Sequence, residues 1–265
     1  MKKCFTINPL RTTEEIESYS RLFTENIYQA IEIFYPYNLD ILNQSIYTEN
    51  IKNIKYRFPN VEVVMHLPYG PTNDLCNPDQ YCIVLDLMKK GIDYAAQFKT
   101  KKLTLHLGYL PQGMNRQAVR DHIKVVLKDL SQYAKQKHMQ LMIENMPGSA
   151  ELGYGPDEIL SLIVNVNLPN LKFILDTGHA HLSGYSPCEY IDTLSQFLLH
   201  IHFSDNNGHG DQHARLGTGN IDFYAIFQSL KKIGYRELHC LEILYDTVED
   251  LYQNALDIDK YDIYE

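Results

Sequence analysis

The sequence predicts an α/β fold, a (β/α)₈ TIM barrel that occupies residues 1–265 as a single domain. Three observations favour this fold: eight short apolar runs, amphipathic segments between them, and a length of 265 residues, which suits a barrel of about 250 residues. Runs rich in Val, Ile, Leu and Phe are typical of strands buried on both faces. Because such strands alternate with helices, right-handed βαβ units and a parallel sheet are expected. A doubly wound open sheet is the alternative topology.

The elements follow one another regularly along the chain. The helix predicted to begin near Arg116 has Asn115 in the N-cap position, and its apolar residues recur at three- and four-residue spacing. Gly234 stands where a glycine commonly ends a helix, just before the last strand. The eight predicted strands span Cys4–Asn8, Gln29–Phe34, Val61–His66, Lys102–His106, Gln140–Glu144, Leu171–Asp176, Leu198–Phe203 and Leu238–Ile243.

The composition of the chain weighs against a nucleic-acid-binding, a disulfide-linked and a membrane-associated protein. The formal net charge of -9 gives no broad attraction to phosphate backbones, which weighs against a nucleic-acid partner. The five cysteines are odd in number and form no CxxC pair, which favours reduced thiols in a cytoplasmic protein. No signal peptide and no apolar run of membrane-spanning length is found, so no membrane partner is expected.

Polar side chains recur at the ends of six consecutive predicted strands. Any one of them alone is more often a packing residue or a helix cap, but six in series favour a site. The carboxyl ends of barrel strands meet on one face, where active sites are built. Buried carboxylates so close together repel unless a cation neutralises them, and no Lys or Arg occupies these positions. The pattern therefore predicts a divalent-metal site. The six residues are His66, His106, Glu144, Asp176, His202 and Glu242.

Further candidates lie in the loops and inside the barrel. His179 follows Asp176 by three residues, and Asp211 and His213 stand two apart in the segment after the seventh strand. Carboxylate and imidazole together suit zinc or manganese better than calcium. His200 shares the parity of His202, so we expect it to point into the barrel as a support for that residue. His239 has the opposite parity to Glu242 and is expected to face the helices.

The ordered motifs IEN, LDTGHAHLSG, HIHFSDN, DQH, LGTGNID and LEI resemble those of the xylose isomerase-like barrel superfamily, over nearly the whole chain from Gln29 to Ile243. This superfamily includes sugar-phosphate isomerases and epimerases and the endonuclease IV nucleases (AP endonuclease family 2). Resemblance to the isomerases implies one metal ion held by Glu144, Asp176, His202 and Glu242. Resemblance to endonuclease IV implies three zinc ions and the ligands His66, His106, Glu144, Asp176, His179, His202, Asp211, His213 and Glu242.

Two segments differ from the nuclease pattern. The nucleases begin strand one with Gly-x-His-x-Ser, whereas this chain has CFTINPL. After strand two they carry a basic, polar loop that contacts DNA, whereas AIEIFYPYN is apolar and is similar to the isomerase members. Tyr69, three residues after His66, matches the nuclease. These differences weigh against DNA recognition and leave the predicted metal site intact.

The leading hypothesis is a metal-dependent isomerase or epimerase of a small sugar or sugar phosphate, which transfers a proton next to a carbonyl through a metal-stabilised enediolate. Glu144 and Glu242 are the predicted catalytic residues. His179, Tyr69 and Arg215 are the predicted substrate contacts, with Arg215 for a phosphate or carboxylate. One zinc or manganese ion is expected.

The alternative is an endonuclease IV-like phosphoesterase with up to three zinc ions, which cleaves DNA at abasic sites. Nucleic acid is a partner only under this alternative. A third hypothesis is a metal-binding barrel without activity. The oligomeric state stays open, a homo-oligomer included.

Overall fold

The structure, a computed structural model, describes residues 1–262 and forms a closed barrel of eight parallel strands in sequence order. The last strand closes on the first, with Cys4 paired to Cys240. This confirms the predicted barrel and excludes the open sheet. Residues 263–265 of the predicted domain lie outside the described residues. The strands are β1 (Lys2–Ile7), β2 (Ala30–Phe34), β3 (Glu62–His66), β4 (Lys102–Leu105), β5 (Gln140–Glu144), β6 (Leu171–Asp176), β7 (Leu198–Phe203) and β8 (Leu238–Leu241).

Helices surround the barrel, and several of them are capped by local side chains. Asn115 accepts a hydrogen bond from the backbone N–H of Gln117 at 2.7 Å, as expected of an N-cap. Gly234 adopts φ +69° after the ninth helix, a conformation that glycine reaches without strain. The helices are α1 (Thr13–Ser18), α2 (Ser20–Thr24), α3 (Ile41–Arg57), α4 (Tyr81–Ala96), α5 (Arg116–Gln136), α6 (Pro156–Val166), α7 (Thr177–Ser183), α8 (Pro187–Leu194), α9 (Phe223–Lys232) and α10 (Val248–Asp259).

Strand bounds agree with the sequence prediction at β5, β6 and β7 and shift slightly elsewhere. His106 and Glu242, predicted within strands, follow directly after β4 and β8. The backbone of Glu242 still donates to the carbonyl of Phe203 at 3.1 Å, so the residue stays attached to the sheet edge. Both side chains therefore keep the strand-end position that the sequence predicts.

Successive side chains along each strand alternate between two buried layers, one inside the barrel and one between the strands and the helices. One set faces inward and fills the amino-terminal part of the barrel, including Cys4, Val64, Met142 and Ile174. The other set packs between strands and helices. His239 belongs to this outer layer, as predicted, because its ring stacks on Phe203 and Phe227 at centroid distances of 5.5 and 5.8 Å. The inward polar residues consequently lie toward the carboxyl ends of the strands.

None of the helices within residues 1–262 combines the length and apolar character needed to cross a membrane.

Candidate metal centre

Four strand-end residues converge at the carboxyl end of the barrel. Glu144, Asp176, His202 and Glu242 each offer one ligand atom, and these atoms lie within 4.8 Å of one another. His202 Nδ1 lies 2.9 Å from Glu242 Oε2, 3.4 Å from Glu144 Oε1 and 3.9 Å from Asp176 Oδ2. The side chains of Glu144, Asp176 and His202 are buried, and that of Glu242 is mostly buried. Residues far apart in sequence thus form one compact group.

The electrostatics of this group fit a cation. Burial raises the pKa of Asp176 to about 6, and the nearby carboxylates of Glu144 and Glu242 add to the increase. Two buried atoms, Asp176 Oδ2 and His202 Nδ1, have no partner with hydrogen-bond geometry. Unpaired buried polar atoms are costly, and both are ligand types that zinc and manganese accept. These residues therefore fit a divalent ion.

A second group shares Glu144. His66, His106 and Glu144 offer ligand atoms within 4.8 Å of one another. His106 Nε2 lies 2.9 Å from Glu144 Oε2 and His66 Nε2 lies 3.6 Å from the same oxygen. Because Oε1 faces His202 and Oε2 faces these two imidazoles, the carboxylate of Glu144 joins the two groups.

A third group is formed by the loop residues. Asp211 Oδ2 lies 3.2 Å from His179 Nε2 and 3.1 Å from His213 Nε2. Burial alone would lower the pKa of His213, but the contact with Asp211 outweighs it and raises that pKa to about 10. His179 Nδ1 also lies 3.5 Å from Glu144 Oε1, which connects this group to the first. All nine residues predicted as metal ligands consequently lie in three adjoining groups.

Backbone carbonyls select the nitrogen that three of the imidazoles present. His66 Nδ1 donates to the carbonyl of Leu67 at 2.8 Å, and His179 Nδ1 donates to that of Asn145 at 2.9 Å. His213 Nδ1 donates to the carbonyl of Glu242 at 3.0 Å. A carbonyl oxygen can only accept, so each Nδ1 carries a proton, and a ring that loses its second proton to bind an ion presents the lone pair of Nε2.

Glu32 is a buried charged residue that the sequence analysis did not select. Its Oε2 accepts hydrogen bonds from Nε2 of His202 at 2.8 Å and of His200 at 3.0 Å, and its Oε1 accepts one from Thr104 at 2.8 Å. Burial by itself would raise the pKa of Glu32. The adjacent imidazoles, with His202 contributing most, hold this pKa well below the ordinary value. The available signal was a single charge within the apolar run AIEIF. His200 points inward, as predicted.

The predicted substrate contacts are only partly brought together. Tyr69 lies at the rim, half exposed, with its ring centroid 4.8 Å from that of His66. Arg215, predicted to contact a phosphate or carboxylate of the substrate, is paired with Asp257 on α10, which its Nη2 and Nε bind at 2.7 and 3.1 Å. Asp257 is buried, so its carboxylate needs this partner.

A cavity of about 490 Å³ opens beside the metal groups and is lined by Tyr69, His213 and Glu242. Arg11, which the sequence analysis did not select, also lines it. The guanidinium of Arg11 donates to Glu15 Oε1 at 2.7 Å and to the carbonyl of Tyr245. A larger cavity of about 810 Å³ lies at the opposite end of the barrel and contains none of the predicted ligands. The smaller cavity is therefore the candidate substrate site.

Asp205 orders the loop that carries Asp211 and His213. Its carboxylate accepts backbone N–H groups of Gly217 at 2.9 Å and Gly219 at 2.8 Å. Its backbone also pairs with Ala214 in both directions. The motif residues of SDN and LGTGNID thus have a structural role, since they hold the loop rather than supply ligands.

Comparison with known proteins agrees with the barrel fold. The family profile described as xylose isomerase-like TIM barrel matches residues 25–260. An uncharacterised protein of Methanocaldococcus jannaschii is 27% identical, over 80% of this chain and 77% of its own length. A probable endonuclease 4 of Bacillus subtilis is 28% identical over 62% of this chain, which spans only 60% of that protein.

Among solved structures, a D-tagatose 3-epimerase-like protein is 25% identical, with a TM-score of 0.80 over 98% of this chain and 97% of its own. The IolI protein, crystallised with a zinc atom, has a TM-score of 0.77 over 98% of this chain and 99% of its own. Its identity is 18%, so this likeness shows the fold alone.

Proposed function

Because the chain belongs to the xylose isomerase-like TIM barrel family, we propose that it is a divalent-metal-dependent isomerase or epimerase of a small sugar. One observation carries the proposal: Glu144 and Glu242 approach the same His202 Nδ1 from different strands, at 3.4 and 2.9 Å. Removal and return of a proton at one carbon need two such groups within reach of the substrate.

The chain's own residues account for the proton transfer. A bound ion would supply a Lewis acid that polarises the carbonyl and hydroxyl oxygens of the sugar. One of Glu144 and Glu242 removes the proton next to the carbonyl, and the other returns a proton to the opposite face or to the neighbouring carbon. His106 donates to Glu144 Oε2 at 2.9 Å and holds that carboxylate in place. His179 orients a substrate hydroxyl.

The cavity favours an unphosphorylated sugar over a sugar phosphate. Arg215 is withdrawn from anion binding by Asp257. Arg11 lines the cavity, but Glu15 already neutralises its guanidinium. A phosphate would have to displace these partners, whereas a sugar needs only hydrogen-bonding groups.

The second candidate function is a phosphoesterase with several zinc ions, which acts at abasic sites in DNA. The observation in its favour is the pair of additional groups, His66 with His106 and His179 with His213, which a one-metal epimerase does not need. The similarity to a probable endonuclease 4 supports it as well. Against it stand the net charge of -9 and the apolar segment after β2.

The test combines metal analysis with isotope exchange. Protein purified without chelator is analysed for metal and incubated in D₂O with ketohexoses such as D-tagatose and D-fructose. We expect about one ion per chain and deuterium incorporation at a carbon next to the carbonyl, lost at least 100-fold in Glu144→Gln and Glu242→Gln. Glu237→Gln, at the amino-terminal end of β8 and paired with Lys102, is the matched control and should exchange normally.

The opposite outcome is equally specific. Three zinc ions per chain, together with cleavage of an abasic duplex that EDTA abolishes, would replace the isomerase by the phosphoesterase. No bound metal and no exchange with any sugar would remove both candidates.

A further inference from the structure

A buried hydrogen-bonded cluster lies directly beneath the candidate metal ligands. At its centre is Glu32, fully buried inside the barrel with His200 and Thr104. Its carboxylate accepts hydrogen bonds from His200, His202 and Thr104 at 2.8–3.0 Å. No step of the proposed proton transfer uses this carboxylate, yet one of its three donors is a predicted metal ligand.

The direction of these hydrogen bonds determines what His202 can present. An ionised carboxylate can only accept, so Nε2 of His202 must carry a proton. The lone pair available to a ligand is then that of Nδ1, which has no hydrogen-bond partner. Nδ1 faces Glu144, Asp176 and Glu242. Rotation of the ring would break its bond to Glu32, so the same contact fixes both tautomer and orientation.

We propose that Glu32 is a positioning residue for the metal centre, which holds the imidazole of His202 so that Nδ1 faces the ion. The inference rests on the proposed metal site. His200 and Thr104 complete the arrangement because they supply the remaining donors to a fully buried carboxylate. Carboxylates that orient a metal-bound imidazole in this way typically contribute 10–100-fold in affinity, on the order of the effect expected here.

The alternative role for this cluster is to bind a metal ion itself. Glu32, His200, His202 and Cys240 also offer atoms within 4.8 Å of one another. An ion held there would need His202 Nε2 without its proton and would displace the bonds to Glu32. The existing distances of 2.8 and 3.0 Å are those of charge-assisted hydrogen bonds, which favours the positioning role.

Three variants test the inference. Glu32→Met removes the acceptor at nearly constant length, and Glu32→Gln keeps one acceptor oxygen. Asn170→Ala removes buried hydrogen bonds at the amino-terminal end of β6 and controls for general loss of stability. Zinc affinity is measured by competition with a chromophoric chelator. The absorption spectrum of the Co²⁺-substituted protein reports the ligands, and circular dichroism reports folding.

We expect zinc affinity to fall about 100-fold in Glu32→Met and about 10-fold in Glu32→Gln. The Co²⁺ spectrum should change in Glu32→Met. Asn170→Ala should keep the affinity and spectrum of the wild type despite a lower melting temperature, because it does not contact the cluster.

Wild-type affinity in a folded Glu32→Met protein would overturn the inference. If that variant does not fold, wild-type affinity in Glu32→Gln has the same consequence. A second ion in the wild type that only the Glu32 variants lose would also overturn it, in favour of a site at the cluster itself. If the wild type binds no ion, the proposed function fails first, so the two failures are distinguishable.

Discussion

Asp176 serves two purposes with one carboxylate. Its Oδ1 accepts the backbone N–H of His179 at 2.6 Å and caps α7, whereas its Oδ2 has no partner. The backbone beside it is held by Asn145, whose Nδ2 donates to the carbonyl of Asp176 and whose Oδ1 accepts from its N–H, at 2.9 and 2.7 Å. Because the cap fixes one oxygen, the other is directed at the candidate ion.

This buried carboxylate predicts a pH dependence in the metal-free protein. An unfolded aspartate has a pKa of about 3.9, and in the folded protein the pKa is about 6. The folded state therefore favours the neutral form, so the contribution of Asp176 to stability is full below about pH 4 and is lost as pH rises through about 6. The loss should be about 2–3 kcal/mol.

The measurement is urea unfolding in EDTA between pH 4 and 7, for the wild type and for Asp176→Asn. Asparagine does not titrate, so the difference between the two proteins isolates this group. A difference that stays constant over this range would contradict the prediction.

At the scale of elements, the loop after β7 is ordered by its own backbone. Gly219 lies so close to Asp205 and Asn206 that a Cβ atom would come within 2.4 Å of Asp205 Oδ1 and 2.2 Å of the Asn206 carbonyl. Glycine is therefore required here by close approach. The same loop carries Asp211 and His213, so its packing decides whether the third group can form.

Gly219→Ala is predicted to destabilise the protein by about 1–3 kcal/mol, because the added methyl group forces the loop away from Asp205. Gly210→Ala is the matched control in the same loop, since nothing lies within 4 Å of its Cβ position. Chemical denaturation of both variants gives the comparison. Equal stabilities would show that the loop adjusts without cost.

For the whole molecule, the carboxyl end of the barrel concentrates acidic groups in a protein whose net charge is already -9. Glu144, Asp176 and Glu242 lie within one ligand group with little solvent around them. The imidazoles of His106 and His202 offset part of the mutual repulsion of these carboxylates, and a bound cation would offset more of it. Metal binding and global stability should consequently be coupled.

Removing the metal is predicted to lower the melting temperature. An ion at about 100 times its Kd adds about 2.7 kcal/mol, which corresponds to about 5–10 °C for a domain of this size. Calorimetry in EDTA and in excess zinc or manganese measures the shift. Glu242→Gln removes one ligand and should lose most of it, and an equal shift in this variant would point to binding elsewhere.

The barrel and the direction of its site follow from local sequence patterns. Period-two burial and short apolar runs identify the strands, and parallel strands place all carboxyl ends on one face. The positions of Glu144, Asp176 and His202 at those ends could therefore be predicted before any coordinates. The same holds for His200 and His239, whose parity alone assigned them to the inside and the outside of the barrel.

Only the tertiary structure decided which polar side chains form hydrogen bonds and ion pairs with one another. Glu32 appeared as one charge in an apolar strand, and its role depends on residues 168 and 170 positions away in the sequence. Arg215 looked available for a substrate anion until α10 brought Asp257 beside it. Hydrogen bonds and ion pairs act over about 3–4 Å between groups whose sequence separation is arbitrary, so a linear pattern can indicate which side chains are charged but not which ones neutralise each other.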